Sequence, residues 1–452
     1  MGTIDPKIFK AYDIRGIYPQ QINEDVVVSI IQASYKFLSG KINKHPITIV
    51  LGRDMRLSSP SLFDIAKRTL VSLGAHVIDI GLASTPTFYF AVYYYRYDAG
   101  IQITASHNPK EYNGIKIVLN SPTGLIKIGK STGMDEIKQM SLADIALPVA
   151  EKGSIEEKKD VVEEEVNHAL SFLKNPTLGT FTIVADPANA MGIMYLRAFF
   201  KKNPSKLVQM NFELDGSFPA HQPDPLDFNN LVDLQKRVVL EKADFGLAPD
   251  GDGDRLFFID EKGNIIPATI ITALISRELL KEHPGEKILF DIRYILTPKK
   301  IVEESGGTYE IRKVGHAFIT EQLSKTGALF AGESSAHYYY HASGNAESQV
   351  ITIATVLKVL TEEKKPLSQI VEELRRSNES GEINFKVTNA PEILESLKQK
   401  YSDGTLSELD GIAVSYLQWR FNVRTSNTEP LLRLNVEALD KNTMEQKRDE
   451  MV

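Results

Sequence analysis

One block recurs in this chain and restricts its folding more than any other feature. It is a short apolar strand, a turn carrying an aspartate, and then a helix. Ile47-Thr48-Ile49-Val50-Leu51 runs into Gly52-Arg53-Asp54, and Ser59 and Pro60 mark the next helix as its N-cap and first helical residue. Ile183-Val184-Ala185-Asp186 precedes a helix over 192–201, and Ile288-Leu289-Phe290-Asp291 precedes one that runs through Glu304. Strands alternating with helices predict parallel βαβ units. The spacing of the blocks is irregular, which predicts related α/β domains and not a solenoid.

Other stretches complete the outline. Val27, Ile30, Ile31 and Leu38 share a helical face over 25–38, and 76–80 is a strand leading to a Thr85-Pro86-Thr87 turn. Asp13-Ile14-Arg15-Gly16 is expected to form an exposed turn, and the charge-dense run 151–165 a solvated helix between domains. From about Pro366 the pattern becomes α+β, with helices over 367–376 and 392–401, strands at 419–423 and 432–436, and a short final helix from near Asn442. At 452 residues the chain exceeds what one core supports. The expected domains are 1–150, 151–260, 261–365 and 366–452.

Lys and Arg number 52 against 59 Asp and Glu, a net charge of −7 that argues against general nucleic-acid binding. An anionic ligand therefore needs a local basic pocket. With no cysteine there is no disulfide framework and no thiolate site. No apolar run reaches membrane-spanning length, and the N-terminal residues lack a basic segment followed by an apolar one. A cytoplasmic location without membrane partners is the expectation.

Four stretches carry chemistry. Thr104-Ala105-Ser106-His107-Asn108-Pro109 follows the apolar strand 99–103, and Pro109 stops regular structure there, which presents the Ser106 hydroxyl on a turn, expected to be exposed. Asp250-Gly251-Asp252-Gly253-Asp254-Arg255 lies between two apolar strands; three carboxylates alternating with glycines can aim at one point, as Mg²⁺ or Ca²⁺ requires. A calcium loop is disfavoured, because Arg255 stands where its sixth-position glycine is needed. Gly332-Glu333-Ser334-Ser335-Ala336-His337 offers a carboxylate and a hydroxyl that could grip vicinal sugar hydroxyls, and His337 could transfer a proton. Arg424-Thr425-Ser426-Asn427-Thr428-Glu429-Pro430 joins two strands with an arginine fork, hydroxyls and an amide, a set suited to holding phosphate without a metal.

Together the four stretches ask for phosphoryl transfer. A phosphorylated serine carries about −1.5 to −2 charge, so three aspartates beside it make sense only with a bound cation. Arg15, Lys116 and Arg255 could stabilise the transferring group alongside the metal.

At these residues the sequence resembles the α-D-phosphohexomutase family, in particular its phosphomannomutase/phosphoglucomutase group. The resemblance spans Tyr12-Asp13-Ile14-Arg15-Gly16, Gly52-Arg53-Asp54, Arg56-Leu57-Ser58-Ser59-Pro60 and all four stretches above. It implies three α/β domains with mixed sheets and a C-terminal α+β domain of the TATA-binding-protein-like class around a central cleft. It further implies a Ser106 phosphoserine with Mg²⁺ held by Ser106, Asp250, Asp252 and Asp254, and a hexose 1,6-bisphosphate intermediate. Glu333 and Ser335 would then hold sugar hydroxyls, and Arg424, Ser426, Asn427 and Thr428 the phosphate not being transferred. Arg15, His107, Lys116 and His337 are the implied groups for proton transfer and charge stabilisation, with no order among them. Tyr12, Arg255, Arg293, Gly315 and His316 match further substrate-contacting positions. The family often has glycine at the place of Ala336, and an acidic Asp-Gly pair where this chain reads Gly344-Asn345-Ala346-Glu347. A phosphoglucosamine mutase shares the serine and metal loops, but its sugar loop usually reads Gly-Glu-Gln-Ser-Gly-His; a phosphoserine-dependent sugar phosphatase is the other alternative. Mannose against glucose, and monomer against homodimer, stay open at the level of sequence.

Overall fold

Ala99–Ile103 is buried along its whole length, as a strand covered by helices on both faces must be. In the computed structural model, which describes residues 4–143, 153–425 and 431–452, it lies inside a mixed sheet. The order is Ile14–Ile17, Tyr112–Ser121, Ala99–Ile103, Thr48–Arg53, His76–Leu82 and Ser154–Glu157, with Gly124–Lys127 paired beside Tyr112–Ser121. The last four of the ordered strands run parallel, and Tyr112–Ser121 is antiparallel to both of its neighbours in that order. Helices Glu24–Ile42 and Ser59–Ser72 bury Val27, Ile30, Ile31, Leu38, Leu62 and Leu70 against one face. Helix Thr85–Tyr94 packs Phe88 and Val92 with Val50, Ile78 and Val118 on the other.

This sheet belongs to a unit formed by Met1–Ile265 together with His337–Leu367. A second sheet in the same unit sets Leu256–Asp260, Phe245–Pro249, Thr182–Ala185 and Lys206–Gln209 side by side, the first pair antiparallel and the others parallel. Helix Gln349–Glu363 packs on helices Val161–Phe172 and Gly192–Lys202. The segment preceding it supplies Glu347, both of whose carboxylate oxygens accept from the buried Lys127 ammonium at 2.6 Å.

The other unit is Ile266–Ala336 with Ser368–Val452. Its strands Thr308–Arg312, Lys287–Asp291 and Phe330–Gly332 are parallel, and helices Ala268–Glu282 and Leu296–Glu304 pack together beside them. Its C-terminal part is an antiparallel sheet in which Trp419–Thr425 lies between Ile412–Ser415 and Leu431–Ala438. Trp419, Phe421, Leu434 and Val436 pack there with Tyr401 and with Met444 of the final helix Lys441–Met451.

Four local expectations are corrected. Asp13–Gly16 is no exposed turn: Asp13 is buried and Ile14–Ile17 is a strand. Thr85-Pro86-Thr87 is the first turn of a helix, capped by the Ser84 hydroxyl, which accepts from Thr87 N at 3.2 Å. Ser58, not Ser59, is the N-cap of Ser59–Ser72, and the Ser59 hydroxyl donates to Asp54 at 2.5 Å instead. Within 151–165, residues 151 and 152 lie outside the described residues, Ser154–Glu157 is an edge strand, and the helix starts at Val161. An edge strand exposed at all four positions has no apolar alternation, so it reads as a solvated run. Among the described residues no helix is long and apolar enough to cross a membrane.

Candidate active site

Leaving the strand Ala99–Ile103, the chain turns sharply enough that Ser106 adopts φ 50°, in the left-handed region. The Thr104 hydroxyl accepts from Ser106 N at 3.0 Å and holds that turn. Ser106 Oγ donates to Asp250 Oδ2 at 3.0 Å and lies 3.2 Å from His107 Nδ1. The serine is only 2% exposed, against the expectation of an exposed turn. The aspartate loop covers it on one side, and Arg56 ties it down on another. That fully buried guanidinium donates from Nη2 to the carbonyls of Ser106 (2.7 Å) and Asn108 (2.6 Å), and from Nη1 to those of Pro109 (2.7 Å) and Tyr112 (3.0 Å). Its Nε stands 3.2 Å from Asp54 Oδ2, which ties the first strand–Asp–helix block to the serine turn. Arg15 pairs with Asp13 at 2.7 Å and donates to Asn108 Oδ1 at 2.5 Å, on the same turn. Tyr12 is half-buried beside them in sequence.

The aspartate loop joins Phe245–Pro249 to Leu256–Asp260. Gly253 takes φ 79°, which lets the chain reverse between carboxylates. Asp250, Asp252 and Asp254 are all buried and place one carboxylate oxygen each within 4.8 Å of one another. Lys116 donates to Asp252 Oδ2 at 2.6 Å and Asp254 Oδ2 at 2.7 Å, and Thr85 Oγ1 donates to Asp252 Oδ2 at 2.6 Å. His337 Nε2 is 3.3 Å from Asp254 Oδ1. Arg255 is half-buried, with Nη1 3.8 Å from Asp224.

The electrostatics follow from this crowding. Burial, and then the neighbouring Asp254 and Asp252 charges, push the Asp250 carboxyl well above its ordinary range. Burial works against the Lys116 charge, but Asp252 and Asp254 hold the ammonium well above its usual range. Burial, with Arg255 and Arg15 nearby, drives the His107 imidazole well below its ordinary value, so it is neutral at pH 7. Three hard oxygen donors held together fit a divalent cation, and among the described residues the buried Asp252 Oδ1 has no hydrogen-bond partner.

In the other unit, Glu333 follows the strand Phe330–Gly332 and is buried, its Oε1 accepting from Gly315 N at 2.9 Å. Gly315 adopts φ 132° as the residue before helix His316–Thr326, and His316 opens that helix, half-buried. Arg293 forms a two-pronged pair with Asp291 (3.0 and 2.9 Å) and donates to Ser335 Oγ at 3.2 Å. Asp291 in turn accepts from Ser334 N at 2.6 Å, so the aspartate ending a strand shapes the loop that carries Glu333 and Ser335. Ala336 takes φ 66°, which gives a physical reason for glycine at such a position. Arg424 is buried at the end of Trp419–Thr425 and donates to Glu382 at 2.9 Å. Ser426, Asn427 and Thr428 lie outside the described residues.

The first unit thus brings Ser106, His107, Arg15, Lys116, His337 and the three aspartates together, and the second brings Arg293, Gly315, Glu333 and Ser335 together. Arg56 and Asp291 were not singled out as site residues. Each sits in a motif already legible, but the backbone groups it binds lie up to 56 residues away.

Models of four domains match in order: phosphoglucomutase/phosphomannomutase alpha/beta/alpha domain I over residues 6–140, domain II over 163–263, domain III over 267–377 and the C-terminal domain over 382–452. A phosphomannomutase of Methanocaldococcus jannaschii is 36% identical over 99% of this chain and 97% of its own length. A protein of Xanthomonas campestris pv. campestris named for phosphohexose mutases is 36% identical over 95% of this chain and 94% of its own. The crystal structure of a phosphoglucomutase/phosphomannomutase family protein from Burkholderia thailandensis superposes with a TM-score of 0.89 at 29% identity, covering 99% of this chain and 96% of that one. Fold and relatives alike define an enzyme of the phosphohexose mutase class. The chain belongs to the phosphoglucomutase/phosphomannomutase family.

Proposed function

We propose that this enzyme interconverts hexose 1-phosphate and hexose 6-phosphate, of mannose, glucose or both, through a phosphorylated Ser106. The observation that carries the reading is the 3.0 Å contact between Ser106 Oγ and Asp250, one of three clustered buried carboxylates. Such a cluster leaves no room for a phosphoryl dianion unless a cation is present; Asp250, Asp252 and Asp254, with the Ser106 phosphate, would hold Mg²⁺, which neutralises charge on the transferring group.

In the forward half, a sugar hydroxyl oxygen bonds to the phosphorus as the bond from phosphorus to Ser106 Oγ breaks. The hydroxyl proton passes to a base, and the product is a hexose 1,6-bisphosphate. In the return half Ser106 Oγ bonds to the other phosphorus as that phosphorus leaves its sugar oxygen, the oxygen takes the proton back from the base, and a monophosphate of the other position remains. His107, neutral through burial and beside Ser106 Oγ, is able to accept a proton. Lys116, kept charged by two aspartates, and Arg15 stabilise negative charge, and His337 beside Asp254 is a further proton carrier. Glu333 and Ser335 hold sugar hydroxyls, and Arg424, Ser426, Asn427 and Thr428 hold the phosphate that is not moving. Tyr12, Arg255, Arg293, Gly315 and His316 complete the substrate contacts.

A coupled assay tests this directly, with Mg²⁺, a trace of hexose 1,6-bisphosphate, and the 1-phosphates of mannose, glucose and glucosamine in parallel. Conversion of mannose or glucose 1-phosphate to its 6-phosphate, lost in Ser106→Ala, is the expected result. Turnover of glucosamine 1-phosphate alone, or release of free phosphate without isomerisation, would overturn it.

A further inference from the structure

Arg424 and Arg433 stand directly opposite each other across the antiparallel pair Trp419–Thr425 and Leu431–Ala438. Like charges in that relation repel. Glu382, which immediately precedes the strand Ile383–Lys386 on the far side of Leu431–Ala438, reaches both. Its Oε2 accepts from Arg424 Nη2 and its Oε1 from Arg433 Nη1, each at 2.9 Å. Burial disfavours the Glu382 charge, yet Arg293, Arg424 and Arg433 together bring the carboxyl below its ordinary value. Arg424 and Arg433 thus share one carboxylate between two guanidinium groups, while Arg293, which also acts on it, is itself paired with Asp291. Arg424 is 4% exposed, and its Nε has no hydrogen-bond partner among the described residues.

A phosphate and a carboxylate approach a guanidinium in the same way, with two oxygens along one edge. We propose that Glu382 is a positioning residue acting as a built-in competitor for phosphate. It aligns Arg424 and Arg433 when no phosphate is bound and limits how tightly they hold one. The inference rests on the reading that Arg424 holds the phosphate not being transferred. An enzyme whose bisphosphate must turn over between its two half-reactions gains nothing from a phosphate grip that is equally strong at every stage. A fixed carboxylate on the same two guanidinium groups shortens that grip without removing the charge that attracts the substrate.

The test uses the full-length enzyme with Glu382→Gln, which preserves size and removes charge. Calorimetric titration with inorganic phosphate should show binding several-fold tighter than in the native enzyme. KM for hexose phosphate should fall by a similar factor, and kcat should fall with it. A residue with a merely structural role would instead weaken phosphate binding and raise KM; that result, or unchanged affinity, overturns the inference. Should Glu382→Gln not fold, Glu382→Asp takes its place: one methylene shorter, it cannot reach both arginines, and phosphate binding should again tighten, by less. Failure of both to fold assigns Glu382 to structure and equally overturns the idea. The phosphate titration needs no turnover, so an inactive native chain whose phosphate affinity still rises in Glu382→Gln would sink the functional reading and leave this one standing.

Discussion

Gly251 passes so close to Ser106 that a β-carbon on it would lie 2.2 Å from the Ser106 carbonyl oxygen. The metal loop and the serine turn are in backbone contact there, and no flexible side chain separates them. Gly251→Ala should push the two apart by a fraction of an ångström to an ångström while the chain still folds. Misplacement on that scale costs about 10²-fold in rate. Steady-state kinetics alongside a melting curve would check it; kcat within twofold of native would contradict the geometry.

Arg56 holds the serine turn through four carbonyl groups and sits against Asp54. Replacing it by methionine leaves Asp54 buried without its cation, a change worth about 3–5 kcal/mol. The expected outcome of Arg56→Met is a clear loss of melting temperature, together with lost activity at temperatures where the variant is still folded. Lysine, a single point charge, cannot reach all four carbonyls and should restore only part of either property.

Chelation of divalent metal should abolish turnover, and added Mg²⁺ should restore it. In Asp252→Asn one of the three carboxylate charges disappears, and with it part of the attraction for the cation. Calorimetry with Mg²⁺ should then show binding weakened by at least tenfold; native affinity in that variant would count against the site.

Glu165 is buried, accepts from Thr87 Oγ1 at 2.6 Å, and burial lifts its carboxyl to about 7 from 4.5. The folded state therefore holds a proton that the unfolded state releases between those values. Stability from this group is intact below pH 4.5, declines as pH rises towards 7, and is fully lost above, at most about 3 kcal/mol. Glu165→Gln cannot ionise, so melting temperature measured from pH 5 to 8 should fall more steeply in the native protein than in the variant. Parallel curves would show that Glu165 is ionised throughout.

What the sequence revealed was whatever a few neighbouring residues determine among themselves. Asp250 to Asp254 could be placed because glycines alternate with carboxylates between apolar strands, and both facts are local. The strand–Asp–helix blocks were legible for the same reason. The burial of Ser106 was not, because what covers it comes from Arg56 and Asp250, 50 and 144 positions away. Glu165 closes a run of charged residues and reads as solvated, but its helix turns it inward onto Thr87. Nor does Glu382 look different from its exposed neighbours until Arg424 and Arg433 are brought beside it by strand pairing.

The order in which the chain is made acquires a meaning from the segment His337–Leu367, which belongs to the unit begun by the first 265 residues. A nascent polypeptide ending at Ile265 holds Lys127 without Glu347, the metal loop without His337, and the Asp254 carbonyl without the Gln349 amide that donates to it at 2.5 Å. The missing pieces emerge only after residue 336, a wait of roughly 4–17 s at ordinary rates of synthesis. Throughout that interval Lys127 lacks the carboxylate it pairs with, and completion of the first unit is tied to translation of a region encoded well downstream.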